Sequence, residues 1–147
     1  MINLEKMIWF DCDGTFIDLY GVNGWLEDLI NCNPRPYLIA KPLVNLSVFA
    51  RLLNNLQKKG YEINIITWTS KNSTTEYHEA VKQAKLKWLK KYLSSVHWNN
   101  IYILKYGTPK SSYGNGILFD DEEKNRIDWN GIAYDEKNLL EKLKGML

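Results

Sequence analysis

Asp11 and Asp13, separated by one residue, close the apolar run Met7-Ile8-Trp9-Phe10 and are followed at once by Gly14-Thr15. A short run of large apolar side chains reads as a strand buried on both faces. Carboxylates at the carboxyl end of such a strand lie where open α/β sheets bind their ligands. Two like charges this close, withdrawn from water, need a cation or a shared proton to offset the cost. A bound divalent metal ion is the simplest way to meet that need. Positions two apart point the same way on an ideal strand, which predicts both carboxylates on one side of one site.

The elements that must hold this pair follow in order along the chain. Leu46, Phe49, Leu52, Leu53 and Leu56 recur at three- and four-residue spacing and predict a helix over about residues 43–59. Lys58-Lys59-Gly60 is a stop signal, and the apolar run Tyr61 to Thr67 then reads as a second strand. Ser73-Thr74-Thr75-Glu76 has the pattern of a capping box and opens a second long helix. Its predicted buried face is Tyr77, Val81, Ala84, Trp88 and Tyr92, with Lys82, Lys85, Lys87, Lys90 and Lys91 on a solvated face. Ile101 to Leu104 is a third strand, and a fourth begins at the Asn115-Gly116 turn and ends in Asp120-Asp121. Gly131 to Tyr134 is a fifth, and a last helix over about 135–146 buries Leu139, Leu140 and Leu143. Strands alternating with helices predict an α/β fold, a three-layer Rossmann-like sandwich on a mostly parallel five-stranded sheet. Residues 16–41 break the alternation, with Tyr20-Gly21, Asn23-Gly24, a helical stretch around Trp25 to Ile30, and Pro34-Arg35-Pro36-Tyr37. Placed directly after the acidic strand, they read as a small lid over the strand ends.

Bulk properties narrow the class further. At 147 residues the chain is long enough for one domain, 1–147, with the lid as an insertion. Its 19 basic and 17 acidic residues leave a net charge of +2, which favours neither nucleic acid nor an anionic membrane. No stretch of about 18 apolar residues occurs. A basic flank followed by an apolar core is missing from the N-terminus, so no signal peptide is expected. Two cysteines, Cys12 and Cys32, make no disulfide framework, and a reducing, cytoplasmic setting is the expectation.

Four features now fall at carboxyl ends of predicted parallel strands: Asp11/Asp13, Thr67, Lys110 and Asp120/Asp121. In this the chain resembles the haloacid dehalogenase superfamily of phosphohydrolases. That family's first motif, Asp-x-Asp-x-Thr, is matched by Asp11-Cys12-Asp13-Gly14-Thr15. Its second, an apolar strand ending in Thr or Ser, is matched by Ile65-Ile66-Thr67. A lysine and then an acidic pair complete the set, matched by Lys110 and Asp120-Asp121. The resemblance covers about residues 6–135. The lysine, just after Thr108-Pro109, and the acidic pair are similar to those of deoxynucleotidases. Leu19-Tyr20-Gly21-Val22 and Tyr106-Gly107-Thr108-Pro109-Lys110 are similar to phrases in small phage and bacterial proteins of this superfamily.

The resemblance implies a Mg2+-dependent phosphomonoester hydrolase. Asp11 would be the nucleophile and form an aspartyl-phosphate. Asp13 would serve as general acid and then general base, with Thr15 orienting it. Thr67 would donate to a phosphate oxygen with help from the backbone N–H groups of Trp68 and Thr69; Thr69 and Ser70 compete with it for that role. Lys110, with Lys105 as its rival, would neutralise the transferring phosphoryl group. Asp11, Asp13, Asp120 and Asp121 supply the metal-binding carboxylates. Tyr20, Trp25 and Tyr37 of the lid offer stacking surfaces for a base or sugar, which makes nucleotide monophosphates the first substrate class to consider. Cys12 reads as an inert packing residue, and His78 and His97 carry no metal-ligand spacing. A polynucleotide end-processing phosphatase and a non-catalytic binding module on the same fold are the alternatives.

Overall fold

The computed structural model describes residues 6–147. The expectation of no signal peptide rests partly on residues 1–5, which lie outside the described part. In chain order the elements are β1 (Met7–Phe10), β2 (Ile17–Asp18), α1 (Trp25–Ile30), α2 (Arg35–Ile39), β3 (Lys41–Pro42), α3 (Leu46–Lys58), β4 (Glu62–Trp68), α4 (Thr75–Tyr92), β5 (Asn100–Leu104), β6 (Gly116–Phe119), α5 (Glu123–Asp128), β7 (Gly131–Tyr134) and α6 (Leu139–Gly145). A 3-10 turn at Lys110–Ser112 precedes β6.

Five strands form one sheet in the order β5-β4-β1-β6-β7, and every neighbouring pair is parallel. The chain winds outward from β1 through β4 to β5. It then returns to the other side of β1 to form β6 and β7. Right-handed crossovers place helices on opposite faces when the winding direction reverses, which gives the three-layer sandwich predicted from sequence. The reversal lies beside β1, so the crevice at its carboxyl end is the natural ligand site of this topology.

β1 is apolar throughout because both of its faces are covered. Ile8 and Phe10 join a large core with Phe16, Phe49, Leu53, Trp88 and Leu143. Trp9 points the other way, into a second cluster with Ile66, Leu118 and Trp129. Phe10 has Phe16, Phe49 and Phe119 around it, with ring centroids at 6.5, 5.4 and 5.4 Å. This aromatic group sits directly beneath the acidic residues and fixes the end of β1.

Helix starts differ from the predicted ones for local reasons. α3 begins at Leu46 rather than near 43 because Asn45 caps it, its side chain accepting the Val48 N–H at 3.1 Å. α4 is capped one residue later than the capping-box pattern suggests. Thr74 accepts the Tyr77 N–H at 3.1 Å, while the Ser73 hydroxyl donates to the Ser70 carbonyl. α6 starts at Leu139 rather than near 135, because Asn138 adopts a left-handed conformation with φ of 55°.

Residues 16–41 form an insert whose two ends pair as a minimal antiparallel ladder, Ile17 with Pro42 and Asp18 with Lys41. Its α2 packs on α4 through Tyr37, which with Leu19, just after β2, meets Tyr77, Val81 and Ala84. Among the described residues, no helix is long and apolar enough to cross a membrane.

Candidate active site

β1 ends at Phe10, and the chain then turns sharply. The N–H groups of Thr15, Phe16 and Ile17 all donate to the Cys12 carbonyl. Strand alternation therefore stops before Asp13. Asp11 and Asp13 nonetheless line one cavity, as the strand-based reading expects, but take different partners there.

Asp11 faces β6. Its Oδ1 accepts from Lys110 Nζ at 3.1 Å and its Oδ2 from the Thr15 hydroxyl at 3.3 Å. Lys110 also donates to Asp120 Oδ2 at 2.6 Å, so one buried ammonium bridges two strands' carboxylates. Asp120 is fully buried and also accepts from the Glu122 N–H at 3.0 Å and Asn125 Nδ2 at 3.1 Å. Asp121 exchanges hydrogen bonds with Thr15, its N–H donating to the hydroxyl at 3.2 Å. Oxygens of Asp11, Asp120 and Asp121 all lie within 4.8 Å of one another. Gly14 makes room for this trio. Its φ of +79° is left-handed, and a Cβ there would fall on the Asp121 carboxylate, 2.7 Å from its Cγ.

Asp13 lies outside the trio, contrary to its assignment among the metal-binding carboxylates. Its Oδ2 is paired with Lys85 Nζ at 2.6 Å, and the same ammonium donates to the Thr67 hydroxyl at 3.1 Å. Lys85 was expected on the solvated face of α4 and is instead only 2 % exposed. A sequence signal for it does exist. Position 85 is four residues after Val81 and three before Trp88, squarely on the apolar face. A lysine there needs a buried acidic partner.

The four carboxylates differ in their tendency to ionise. Burial works against ionisation of Asp11, but Lys110 and Lys85 outweigh it and hold Asp11 below the ordinary carboxylate range. Burial pushes Asp13 upward; Lys85 opposes the shift and the charge of Asp11 adds to it. Asp120 is raised to about 6 and Asp121 to about 9, in both cases first by burial and then by Asp11. Four carboxylates and two lysines share the site, so full ionisation leaves two negative charges uncompensated. An all-oxygen donor set with that excess charge fits a hard divalent cation such as Mg2+. Cys12 is fully buried and its thiol is pushed up to about 12 by burial, in keeping with an inert packing residue.

A cavity of about 250 Å3 opens above these groups, lined by Asp11, Asp13, Thr67 and Lys110 and by the insert residues Tyr20, Trp25 and Tyr37. Trp68 and Tyr106 face it from the ends of β4 and β5, with ring centroids 4.9 Å apart, and Tyr20 and Trp25 pair at 5.0 Å. Thr69 also lines the cavity, but its N–H donates to the Leu104 carbonyl at 2.8 Å and its hydroxyl pairs with His78 Nδ1 at 2.7 Å. Its backbone is therefore committed to the fold rather than open to a ligand. Ser70 is bonded to the Tyr37 hydroxyl at 2.5 Å, whereas Thr67, the third candidate, is linked to Asp13 through the shared Lys85 ammonium. Lys105, the rival of Lys110, is exposed and lines a neighbouring crevice with His78. Asn125, which sequence reasoning did not single out, supports Asp120 from the first turn of α5.

No protein-family model and no curated protein matches this sequence.

Proposed function

We propose that this protein is a Mg2+-dependent phosphomonoester hydrolase of the haloacid dehalogenase type, working through an aspartyl-phosphate on Asp11. The observation that carries the reading is the Lys110 ammonium, 3.1 Å from Asp11 and 2.6 Å from Asp120, at the floor of a cavity that Asp13 and Thr67 also line. A carboxylate paired with a cation inside a pocket, next to a second carboxyl of opposite pKa tendency, is the arrangement that covalent phosphoryl transfer needs.

In the first half-reaction an Asp11 oxygen attacks phosphorus, the bond to the leaving oxygen breaks, and Asp13 gives that oxygen its proton. In the second, Asp13 takes a proton from water, the water oxygen attacks phosphorus, and the Asp11–phosphorus bond breaks to release inorganic phosphate. Lys110 and the Thr67 hydroxyl hold the non-bridging oxygens, where charge must be stabilised throughout. Because Thr67 accepts from Lys85, its own proton is free to donate to phosphate. Asp11, Asp120 and Asp121 would hold Mg2+, which would supply the positive charge that lets an anionic nucleophile approach an anionic phosphate.

The aromatic walls formed by Tyr20, Trp25, Trp68 and Tyr106 suit a small phosphorylated molecule with a flat ring, and nucleoside monophosphates are the first class to test. The experiment is phosphate release from nucleoside 5′- and 3′-monophosphates, sugar phosphates and a 3′-phosphorylated oligonucleotide, with and without Mg2+. Mg2+-dependent release that disappears in Asp11→Asn is the expected result. Wild-type turnover by Asp11→Asn refutes the assignment of the nucleophile.

A further inference from the structure

Lys85 is a buried charged group of this site to which neither the proposed metal-binding trio nor the proposed phosphate-binding Thr67–Lys110 pair gives a role. It projects from the middle of α4, is 2 % exposed, and touches Asp13 Oδ2 at 2.6 Å and Thr67 Oγ1 at 3.1 Å. The ring of Tyr37 closes the remaining side, with its centroid 5.2 Å from Nζ. A leucine or methionine at position 85 would extend the apolar face that Val81 and Trp88 already form. Buried ion pairs seldom add stability over well-packed apolar residues of similar size. Stability alone therefore gives no reason for a lysine here, whereas a demand of the site does.

We infer that Lys85 is a positioning residue that fixes the Asp13 carboxyl toward the leaving-group oxygen and turns the Thr67 hydroxyl proton toward the phosphate, a role that rests on the phosphotransfer reading above. The geometry supports both halves. Asp13 lies beyond the end of β1, where a single bridge to Ile17 replaces the strand ladder, and its side chain is paired with Lys85. An ammonium can only donate, so Thr67 Oγ1 must accept from it, and the hydroxyl hydrogen is left to point elsewhere. As Asp13 transfers its proton to the leaving oxygen it becomes a carboxylate, and the adjacent Lys85 stabilises the charge that develops.

Leaving-group dependence separates this role from a merely structural one. An alkyl phosphate expels a strongly basic oxygen and needs a proton from Asp13. An activated aryl ester such as 4-nitrophenyl phosphate leaves without one. With Mg2+ present, Lys85→Met should lower kcat/KM for the alkyl ester by on the order of 100-fold and for the aryl ester by about tenfold or less. Asp13→Asn should show the same split, and adding Lys85→Met to Asp13→Asn should cost the alkyl ester nothing beyond the small loss through Thr67. Lys85→Arg retains a cation with a different shape and is measured alongside; a smaller split than in Lys85→Met supports the role, and it stands in where Lys85→Met fails to fold. Equal losses on both esters in Lys85→Met, or in Lys85→Arg where only that variant folds, overturn the inference if Asp13→Asn shows the split. No Mg2+-dependent release from wild type with either ester overturns the phosphatase reading and this inference together.

Discussion

Replacing Gly14 with alanine tests the way the acidic trio is assembled. Two costs follow from the structure. The backbone at position 14 has φ of +79°, and an L side chain in the left-handed region costs about 1–2 kcal/mol. For a chain of this size that corresponds to a fall in Tm of roughly 3–8 °C. The second cost is specific to the site. The new methyl group would occupy the place of the Asp121 carboxylate, which can swing away because it is the end of a side chain rather than backbone. Displacing a group that sets metal geometry typically weakens binding about 10–100-fold. Gly14→Ala should therefore both lower Tm and weaken Mg2+ binding, read by thermal shift and calorimetric titration. The decisive arm is a double-mutant cycle with Asp121→Ala. If Gly14 acts through Asp121, then Gly14→Ala made in an Asp121→Ala background lowers Tm but leaves Mg2+ affinity where Asp121→Ala alone puts it. An equal loss of Mg2+ affinity from Gly14→Ala in both backgrounds refutes the reasoning.

Metal binding should depend on pH through Asp120 and Asp121, whose carboxyls titrate near 6 and 9 against an ordinary value of 3.8. A carboxyl raised by folding contributes stability that is fully present below its unfolded pKa and is lost as pH climbs through the folded one. The metal-free protein thus loses stability from these groups as pH rises above the ordinary value of 3.8, the Asp120 share being gone by about 6 and the Asp121 share by about 9, while Mg2+, which needs the ionised forms, binds better. The increase in Tm on adding Mg2+ should be larger at about pH 8.5 than at about pH 5.5, and an increase that is the same at both refutes the assignment of these carboxylates. Phe10→Ala should cost about 3–5 kcal/mol in urea unfolding, because the ring is fully buried among Phe16, Phe49 and Phe119. A cost near that of an exposed substitution would show that the aromatic group beneath the acidic residues does not bear on stability.

The fold was legible where burial writes a pattern into the chain. β1 and β4 are apolar on both faces, so their residues stand out as runs, and the apolar spacing of Phe49, Leu52, Leu53 and Leu56 marks α3 with little ambiguity. Ends were less legible, since they depend on single residues such as Asn45, Thr74 and Asn138 choosing a cap or a left-handed turn. β2 and β3 have two residues each, too few to show a period, and α2 runs through Pro36, which reads as a break rather than a helix. Within the site, Asp11 and the Asp120-Asp121 pair sit just beyond strand ends, where position in sequence predicts position in space, whereas Lys110 lies in the 3-10 turn between β5 and β6 rather than at a strand end. Asp13 was rightly placed on the same cavity as Asp11, but its separation from the acidic trio was not legible, because the turn on the Cys12 carbonyl leaves no strand register to read it from. Lys85 was missed because α4 carries lysines on several sides, and among Lys82, Lys87, Lys90 and Lys91 a fifth one on the apolar face does not stand out.

The insert over the cavity has two parts with different attachments, and this bears on how a substrate would be enclosed. α2 is anchored: Tyr37 and Pro36 are buried, the Tyr37 hydroxyl bonds Ser70, the Tyr77 hydroxyl donates to the Asn33 carbonyl at 3.2 Å, and Trp88 Nε1 donates to the Ala40 carbonyl at 2.8 Å. Moving it would break several buried hydrogen bonds and open the packing around Val81. α1 has no buried residue; the half-buried Leu29 rests against the Tyr37 cluster, and the polar tie to α2 is the Arg35–Asp28 ion pair, in which the arginine is 43 % exposed. Such surface pairs contribute little. The energetic asymmetry makes α2 a fixed wall that carries Tyr37 against Lys85, and leaves α1, with the Tyr20–Trp25 pair beside it, as the side able to adjust around a ligand. On the proposed phosphatase reading, selection for the phosphate would be built into β1, β4, β6 and α4, while the rest of the substrate would meet the less constrained aromatic side. A site divided in this way holds its reacting groups in register whatever the leaving group, and tolerates variation in the part of the substrate that does not react.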